Sequence, residues 1–508
     1  MSLLVYRTAL ARTSLHAPHI WTHQRGRYLP LGFVVASDSG LHRDLASRMK
    51  RKESPTKAHL PSKKPKIEVP EYHLSAQVKE ADGSVQWPAP QAQMERAREM
   101  IKDCVAKEAK ILIVPDKDAD GLSSGAILRH TLGLMGLPAE KINVHLLTKG
   151  YTIHSEEERR RMASHQPDYV FVLDQGSRPG APVIDGKHEA LIIDHHYANE
   201  DGFPAGSSHV TACHSPPVAT SSLLTYLLCE PLHPDVKSRC DWLCVVGTHG
   251  DLGNTIKWEA PFPDMKETLK KYTKKALNDV VSLINAPRRT ATYDVKSAWD
   301  ALCDTTEPKS VLSVSRLLAA REEVNSEVER CTHTAPKFSS DGKIAVFRIN
   351  SAAQVHPVIA TRWSGHLQSK ALEIVLVANE GYLPGKVNFS CRIPRCARGR
   401  DPPVDIIASL KAYASMKTPV EDGEEEDDGR PPLLERLGDD FARGHVQASG
   451  GIVSVDEFEE LMKIMQIGVK APKKEGEESS PTKKNKGVID AGQKNNLMSY
   501  FGKKAEKA

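Results

Sequence analysis

The stretch ILIVPDKDADG, residues 111–121, sets Asp116, Asp118 and Asp120 within five positions directly behind an apolar run. Carboxylates that close repel one another unless a cation sits among them. The pattern matches the opening of an EF-hand calcium loop, but Ile127 stands where that loop needs a Glu, and ILIV has the look of a buried strand instead of a helix. A surface turn whose aspartates cap the next helix is the plainer alternative. More acidic and imidazole groups follow later runs. Asp174 ends YVFVLD, Asp194, His195 and His196 end ALIIDHH, and Asp251 stands beside His249 in CVVGTHGD. In a parallel sheet the carboxyl ends of the strands share one edge, which is where open α/β folds bind ligands. The groups are therefore expected to converge. Such a cluster is costly to desolvate unless divalent cations turn repulsion into coordination.

The elements that must position these groups can be read from the same stretches. ILIVPD, INVHLLT, DYVFVLD and ALIID are short apolar runs separated by helical or loop segments, the alternation of a parallel α/β sheet. TSSLLTYLLCE and SRCDWLCVVGTHGDLG read as helices, the latter ending in a Gly-rich turn, and residues 309–333 as a solvated connecting helix. KIAVFRI, ALEIVLVAN and KVNFSCRI, followed by the amphipathic VDIIASLKAYA, predict a smaller α/β domain. A chain of 508 residues accommodates this plan. It gives a basic N-terminal extension over 1–95, a first domain over 96–300, a connecting helix over 301–338, a second domain over 339–468 and a Lys-rich tail over 469–508. The second domain is interrupted at 421–429 by EDGEEEDDG, whose seven carboxylates predict a solvated loop. Both ends are expected to be disordered.

The average charge of +4 excludes nothing, and the nine cysteines contain no CxxC pair, which argues against zinc and a disulfide framework and for a reducing compartment. No apolar run reaches the length needed to span a bilayer. Residues 1–37 carry arginines and no acid, like a mitochondrial transit peptide, whereas Met49 opens a second plausible start with nuclear-type basic clusters. The nucleus is the expected location and the mitochondrion the alternative.

In their order, DKDADG, VLDQG, DHH and GTHGD resemble the motifs of the DHH phosphoesterases. That family includes RecJ exonucleases, oligoribonucleases that also act on pAp, and cyclic-dinucleotide phosphodiesterases. NFSCRI and RGHVQASGG resemble its DHH-associated domain, so the likeness covers residues 96–468. The resemblance implies metal ligands at Asp116, Asp118, Asp174, His195 and Asp251, with Asp174 bridging two ions. It places Asp194, His195 and His196 in the catalytic triplet, through phosphate contact or support of the ligands, while Asp120 fits a structural part. Mixed carboxylate and imidazole ligands favour Mn2+ or Mg2+ over zinc, with Mn2+ the first choice. His249 departs from the small or apolar residue usual in the family; it either caps the turn or touches substrate or metal. Substrate contacts are implied at Arg392, Gly444, His445, Ser449 and Gly450, although Arg443 and Ser449 replace a Gly and an Ala of the family's GGHxxAAG.

The expected activity is that of a RecJ-like exonuclease acting on single-stranded nucleic acid ends in replication or repair. RecJ-type enzymes usually carry an OB-type domain, and no segment after residue 468 is long enough for one. That favours, as the alternative, a nuclease for short oligonucleotides or a pAp-type phosphatase. A non-enzymatic replication scaffold is the third reading, disfavoured because every ligand position is filled. Near the end of the chain, Leu497, Tyr500 and Phe501 lie at the spacing of one helical turn and resemble a sliding-clamp interaction motif, with Lys494 where that motif has Gln.

Overall fold

The computed structural model describes residues 78–417, 430–438, 441–445 and 447–469. The expectations for the basic extension before residue 78, the acidic stretch 421–429 and the tail motif Leu497, Tyr500 and Phe501 lie outside them. In chain order the first part comprises α1 (Gln91–Ala106), β1 (Ile111–Pro115), α2 (Ala119–Leu134), β2 (Ile142–Val144), α3 (Glu156–Ser164), β3 (Tyr169–Leu173), β4 (Glu189–Asp194) and β5 (Ser208–Thr211). Helices α4 (Ser221–Cys229), α5 (Val236–Leu252), α6 (Lys266–Tyr272), α7 (Lys274–Asn285), α8 (Val295–Asp304), α9 (Pro308–Val311) and α10 (Ser315–Cys331) follow. The second part adds β6 (Lys337–Phe338), β7 (Ile344–Ile349), α11 (His356–His366), β8 (Ile374–Leu383), β9 (Lys386–Arg392), α12 (Ile406–Ala414), α13 (Leu433–Arg436), β10 (Arg443–His445), β11 (Ala448–Ser454) and α14 (Val455–Ile464).

The first sheet is parallel throughout and ordered β2-β1-β3-β4-β5. Its central strands are apolar at every position because helices cover both faces. The period of two divides them cleanly. Ile111, Ile113, Phe171 and Ile193 pack with Ile127, Leu224 and Val245, while Leu112, Val114, Val170, Val172 and Ile192 pack with Ile153, Met162 and Phe203 on the other face. Full burial of each such side chain contributes about 1.5–3 kcal/mol. The second sheet is mixed, ordered β10-β11-β9-β8-β7-β6 with β7 and β8 parallel. It divides in the same way. Val346, Leu376 and Phe389 face Leu410 and Phe458, and Phe347, Val375 and Val377 face Ile359 and Val328.

Three expectations about organisation are corrected. The first core begins before residue 96, because α1 buries Met94, Ala97, Met100, Ile101 and Cys104, and Ala89 is buried just ahead of it. It also runs past residue 300, taking in Leu302, Val311 and Leu317. Nor is the connecting helix merely solvated: α10 puts Leu317 into the first core and Val324, Val328 and Cys331 into the second. All nine cysteines are free, and no helix among the described residues is long and apolar enough to cross a membrane.

Candidate metal centre

Strand β1 ends at Pro115, and the ladder runs one residue further as the Asp116 amide donates to Leu173 O at 2.9 Å. The chain then folds back so tightly that a Cβ on Gly121 would lie 2.6 Å from Asp116 O. Asp118 caps α2, its Oδ1 accepting from the amides of Asp120 at 3.1 Å and Gly121 at 3.2 Å. Asp120 points inward and is fully buried. Its carboxylate accepts from the Ser221 and Ser222 amides at the start of α4, at 2.7 and 3.0 Å, and from the Ser222 hydroxyl. The structural part expected for Asp120 thus has a geometry: it ties the first turns of α2 and α4 together.

Asp174 follows β3 with φ +61°, a left-handed conformation that Asp tolerates better than most residues. Its amide donates to Ile193 O at 2.9 Å, and its Oδ1 accepts from the Ser221 hydroxyl at 2.9 Å. Asp251 comes from the last turn of α5 and not from a strand end. The glycines of GTHGD lie inside that helix rather than in a turn. A Cβ on Gly247 would meet Ser222 Oγ at 2.2 Å and one on Gly250 would meet Ala119 Cβ at 3.0 Å, so both let α5 approach the first turns of α2 and α4.

The edge therefore gathers three overlapping groups: Asp116, Asp118 and Asp174; Asp174, His195 and His196; and Asp120, His195 and Asp251. Within each, one ligand atom per residue lies within 4.8 Å of the others. His195 Nε2 stands 3.3 Å from Asp174 Oδ1 and 3.1 Å from Asp251 Oδ2, yet is buried without a hydrogen bond to either. Nitrogen and oxygen atoms that converge without bonding one another are arranged like ligands about a shared point. The residues fit a divalent cation.

The electrostatics agree. Burial, reinforced by the Asp120 carboxylate, holds Asp174 well above the usual carboxylate range. Burial and then Asp251 push Asp120 up to about 6. Burial alone would lower His195, but the adjacent Asp174 and Asp251 carboxylates more than reverse it. Asp118 is the exception; burial works against ionisation there, but Arg288 holds it below its ordinary value.

Of the two parts the triplet left open for Asp194, phosphate contact or support of the ligands, its hydrogen bonds fit support. It is fully buried, with Oδ1 accepting from the His195 and His196 amides at 2.8 and 3.2 Å and lying 2.8 Å from His196 Nδ1, while Oδ2 accepts from the Ser177 amide at 3.1 Å. It positions the histidines and leaves the half-exposed His196 ring at the surface of the site. His249 belongs elsewhere. It is buried, neither ring nitrogen has a hydrogen-bond partner, its ring lies 6.2 Å from Trp258, and burial lowers its pKa to about 4.

Against the acidic edge stands a cationic group that the sequence did not announce as a unit. The 3-10 turn Pro287–Arg289 brings Arg288 to 3.9 Å from Asp118, with Arg288 Nε donating to Asn285 Oδ1 at 3.1 Å. Arg289 stands half-buried beside it, its pKa lowered to about 9 by desolvation and then by Arg288. From the second domain, Arg392 donates to Ser390 Oγ at 3.0 Å and to Cys391 O at 2.8 Å, and its charge is felt at Arg289. His356, at the start of α11, is 4% exposed, has no partner for Nδ1, and is held neutral by burial and by Arg392 and Arg289. The expected second-domain loop lies beside Arg392 in register: Ala448 pairs Arg392, Ser449 pairs Cys391 and Gly444, and His445 pairs Ala448. Ser449 is buried, and Gly450 serves close strand packing, since a Cβ there would lie 2.5 Å from Phe389 O. The side chain of His445 is outside the description. Arg288, Arg289 and His356 were missed; the one local signal was the doubled arginine behind Pro287.

Residues 110–247 match the family model described as DHH family, N-terminal domain. That stretch is similar to the N-terminal domain of the DHH family. No curated protein matches the chain in sequence. Among solved structures, RecJ in complex with Mn2+ from Thermus thermophilus aligns with a TM-score of 0.52 at 16% identity, over 75% of this chain and 55% of that one. This chain thus spans about half the length of that RecJ. Exonuclease RecJ bound to manganese aligns with a TM-score of 0.51 at 16% identity, over 73% and 93% of the two chains. The DHH domain of a member of the S1p family of ribosomal proteins gives 0.52 at 13%, over 75% and 92%. These likenesses establish a RecJ-like fold around the DHH domain.

Proposed function

We propose that this chain is a metal-dependent phosphodiesterase of the RecJ type that hydrolyses the ends of single-stranded nucleic acid. The observation that carries this reading is the meeting of Asp116, Asp118, Asp174, His195 and Asp251 at one sheet edge, opposite Arg288, Arg289 and Arg392. Those five residues would hold two Mn2+ or Mg2+ ions, which when bound supply an acidified water and neutralise charge gathering on the phosphoryl oxygens. The chain does the rest. Asp194 fixes the His196 ring, which stands half exposed to meet a phosphate oxygen. Arg392 and Arg289 orient the phosphate through their forked donors, and the buried setting strengthens that grip.

The enclosure of Arg289, Arg392 and His356 favours a second reading, a nuclease for very short oligonucleotides or a phosphatase for pAp-type nucleotides, because a buried grip suits a terminal phosphate. In the leading reading the enzyme works in the nucleus during replication or repair, recruited to a sliding clamp by Leu497, Tyr500 and Phe501. Timed digestion of end-labelled DNA and RNA oligomers with Mn2+, Mg2+ or EDTA is the test. Shortening products that need the metal are expected; intact oligomers in Mn2+ would overturn the leading reading, and hydrolysis of pAp or dinucleotides alone would select the second.

A further inference from the structure

A groove of about 680 Å³ opens between the loop after β2 and the segment 292–296, closed on a third side by Arg316 of α10. Leu146 and Leu147 give it an apolar wall, and Lys149, Lys296 and Arg316 line it with cations. Its one carboxylate is already satisfied: Asp294 accepts from Arg316 Nε and Ser297 Oγ, both at 2.7 Å. Lys149 Nζ donates to Ala352 O at 2.8 Å and lies 4.1 Å from the Tyr382 ring centroid, which leaves further N–H groups of the ammonium to give. The Lys296 partner, Asp300 at 2.6 Å, is an exposed one that a phosphate can displace.

Tyr293 is part of this lining, half-buried against the first core, with φ +54°. The left-handed region is costly for an aromatic residue, and such strain persists where the surrounding structure enforces it, often at ligand sites. Hydrogen bonds from its amide to Thr290 O at 3.2 Å and from the Val295 amide to its own carbonyl at 3.0 Å hold the turn. The groove lies beside the candidate metal centre, because its wall at 146–149 continues β2, which pairs with β1 up to Val144 and Ile113, the His145 amide donating to Ile113 O at 2.9 Å just before β1 leads into Asp116.

We infer that this groove seats the nucleotide next to the one at the centre, its base against Tyr293 and the leucine wall and its phosphate between Lys149 and Lys296. A base offers two apolar faces and is followed by one negative charge per unit, and a ring flanked by cations matches that alternation. The inference rests on the phosphodiester reading and narrows its substrate to single-stranded oligonucleotides longer than a dinucleotide.

The test is anisotropy of labelled octanucleotides, DNA and RNA in separate arms, titrated with the full chain in Ca2+ so that binding is read without turnover. Tyr293→Asn removes the ring and suits the backbone, Tyr293→Phe keeps the ring, and Lys296→Glu reverses a charge on a side chain that is 75% exposed. Tyr293→Asn and Lys296→Glu are each expected to raise Kd about tenfold, Lys296→Glu with unchanged melting, and Tyr293→Phe to bind like the parent. If Tyr293→Asn lowers the melting temperature, Lys296→Glu decides. Failure of the parent to bind, or parental affinity in both altered chains, would overturn the groove even if Mn2+-dependent hydrolysis is present. A binding defect in the altered chains with no hydrolysis by the parent would leave the groove standing and sink the phosphodiesterase reading instead.

Discussion

The two sides of the cleft solve opposite electrostatic problems. The edge of the first sheet packs carboxylates so densely that burial and mutual repulsion hold Asp120 and Asp174 toward their neutral forms. Across from it, the turn at Pro287–Arg289 and the end of β9 crowd guanidinium groups until burial lowers Arg289 to about 9 and His356 to about 3. Each side is therefore short of a partner of the other sign, and direct pairing between them is limited to contacts such as Arg288 with Asp118 at 3.9 Å. A phosphate with divalent cations satisfies both at once, the anion facing the arginines and the cations facing the aspartates. The separation of the two charges, more than either cluster alone, is what suits the cleft to phosphoester chemistry.

The contrast can be broken most severely at Asp174. Asp174→Asn keeps the shape, accommodates the left-handed backbone and removes the charge shared by two of the ligand groups. Mn2+-dependent hydrolysis is expected to fall by about 10³-fold, while melting in EDTA does not fall, because a repelled buried carboxylate has been removed. A lower melting temperature in EDTA with activity retained would show that the acidic side is structural.

On the cationic side, Arg392→Lys exchanges a fork for a point charge. Losing one charge-assisted bond of about 1.5–3 kcal/mol should raise KM about 10- to 100-fold, with kcat changed less. Steady-state kinetics on short oligomers checks this, and an effect confined to kcat would move Arg392 from binding to chemistry.

The smallest effect sharpens the comparison through pH. The folded chain keeps His356 neutral down to about pH 3, against 6.5 for a free imidazole, so the unfolded chain binds the extra proton as pH falls between those values. Stability contributed by the neutral ring is complete above 6.5 and is lost on acidification through that window. His249 and His130, both lowered to about 4 by burial, act in the same direction. His356→Gln should therefore make the urea midpoint less dependent on pH between 6.5 and 4 without abolishing the dependence.

The acidic side was legible in the sequence because each ligand follows a local pattern, an apolar run that ends in Asp or DHH. The parallel sheet was legible for the same reason. The cationic side was not, because Arg289, His356 and Arg392 belong to three separate elements and meet only when the second sheet folds against the first part. The place of Asp194 in the triplet left open phosphate contact or support of the ligands, and only its hydrogen bonds show that it faces inward. Asp251 was expected at a strand end because the sheet logic was extended to it, whereas glycines at 247 and 250 allow a helix to deliver it. The start of α1, directly behind the prolines of WPAPQ, fell within the span 1–95 that read as a disordered extension.

Helix α10 is anchored in the first core by Leu317 and in the second by Val324 and Val328. It works as a strut of 17 residues, about 25 Å long at 1.5 Å per residue, whose side-chain grip sets where Arg392 and His356 of the second part stand relative to the acidic edge and Arg289. One residue inserted between Leu317 and Val324 would turn everything beyond it by about 100°, so Arg392 and His356 would lose their alignment with Arg289 and the acidic edge without a single ligand being touched.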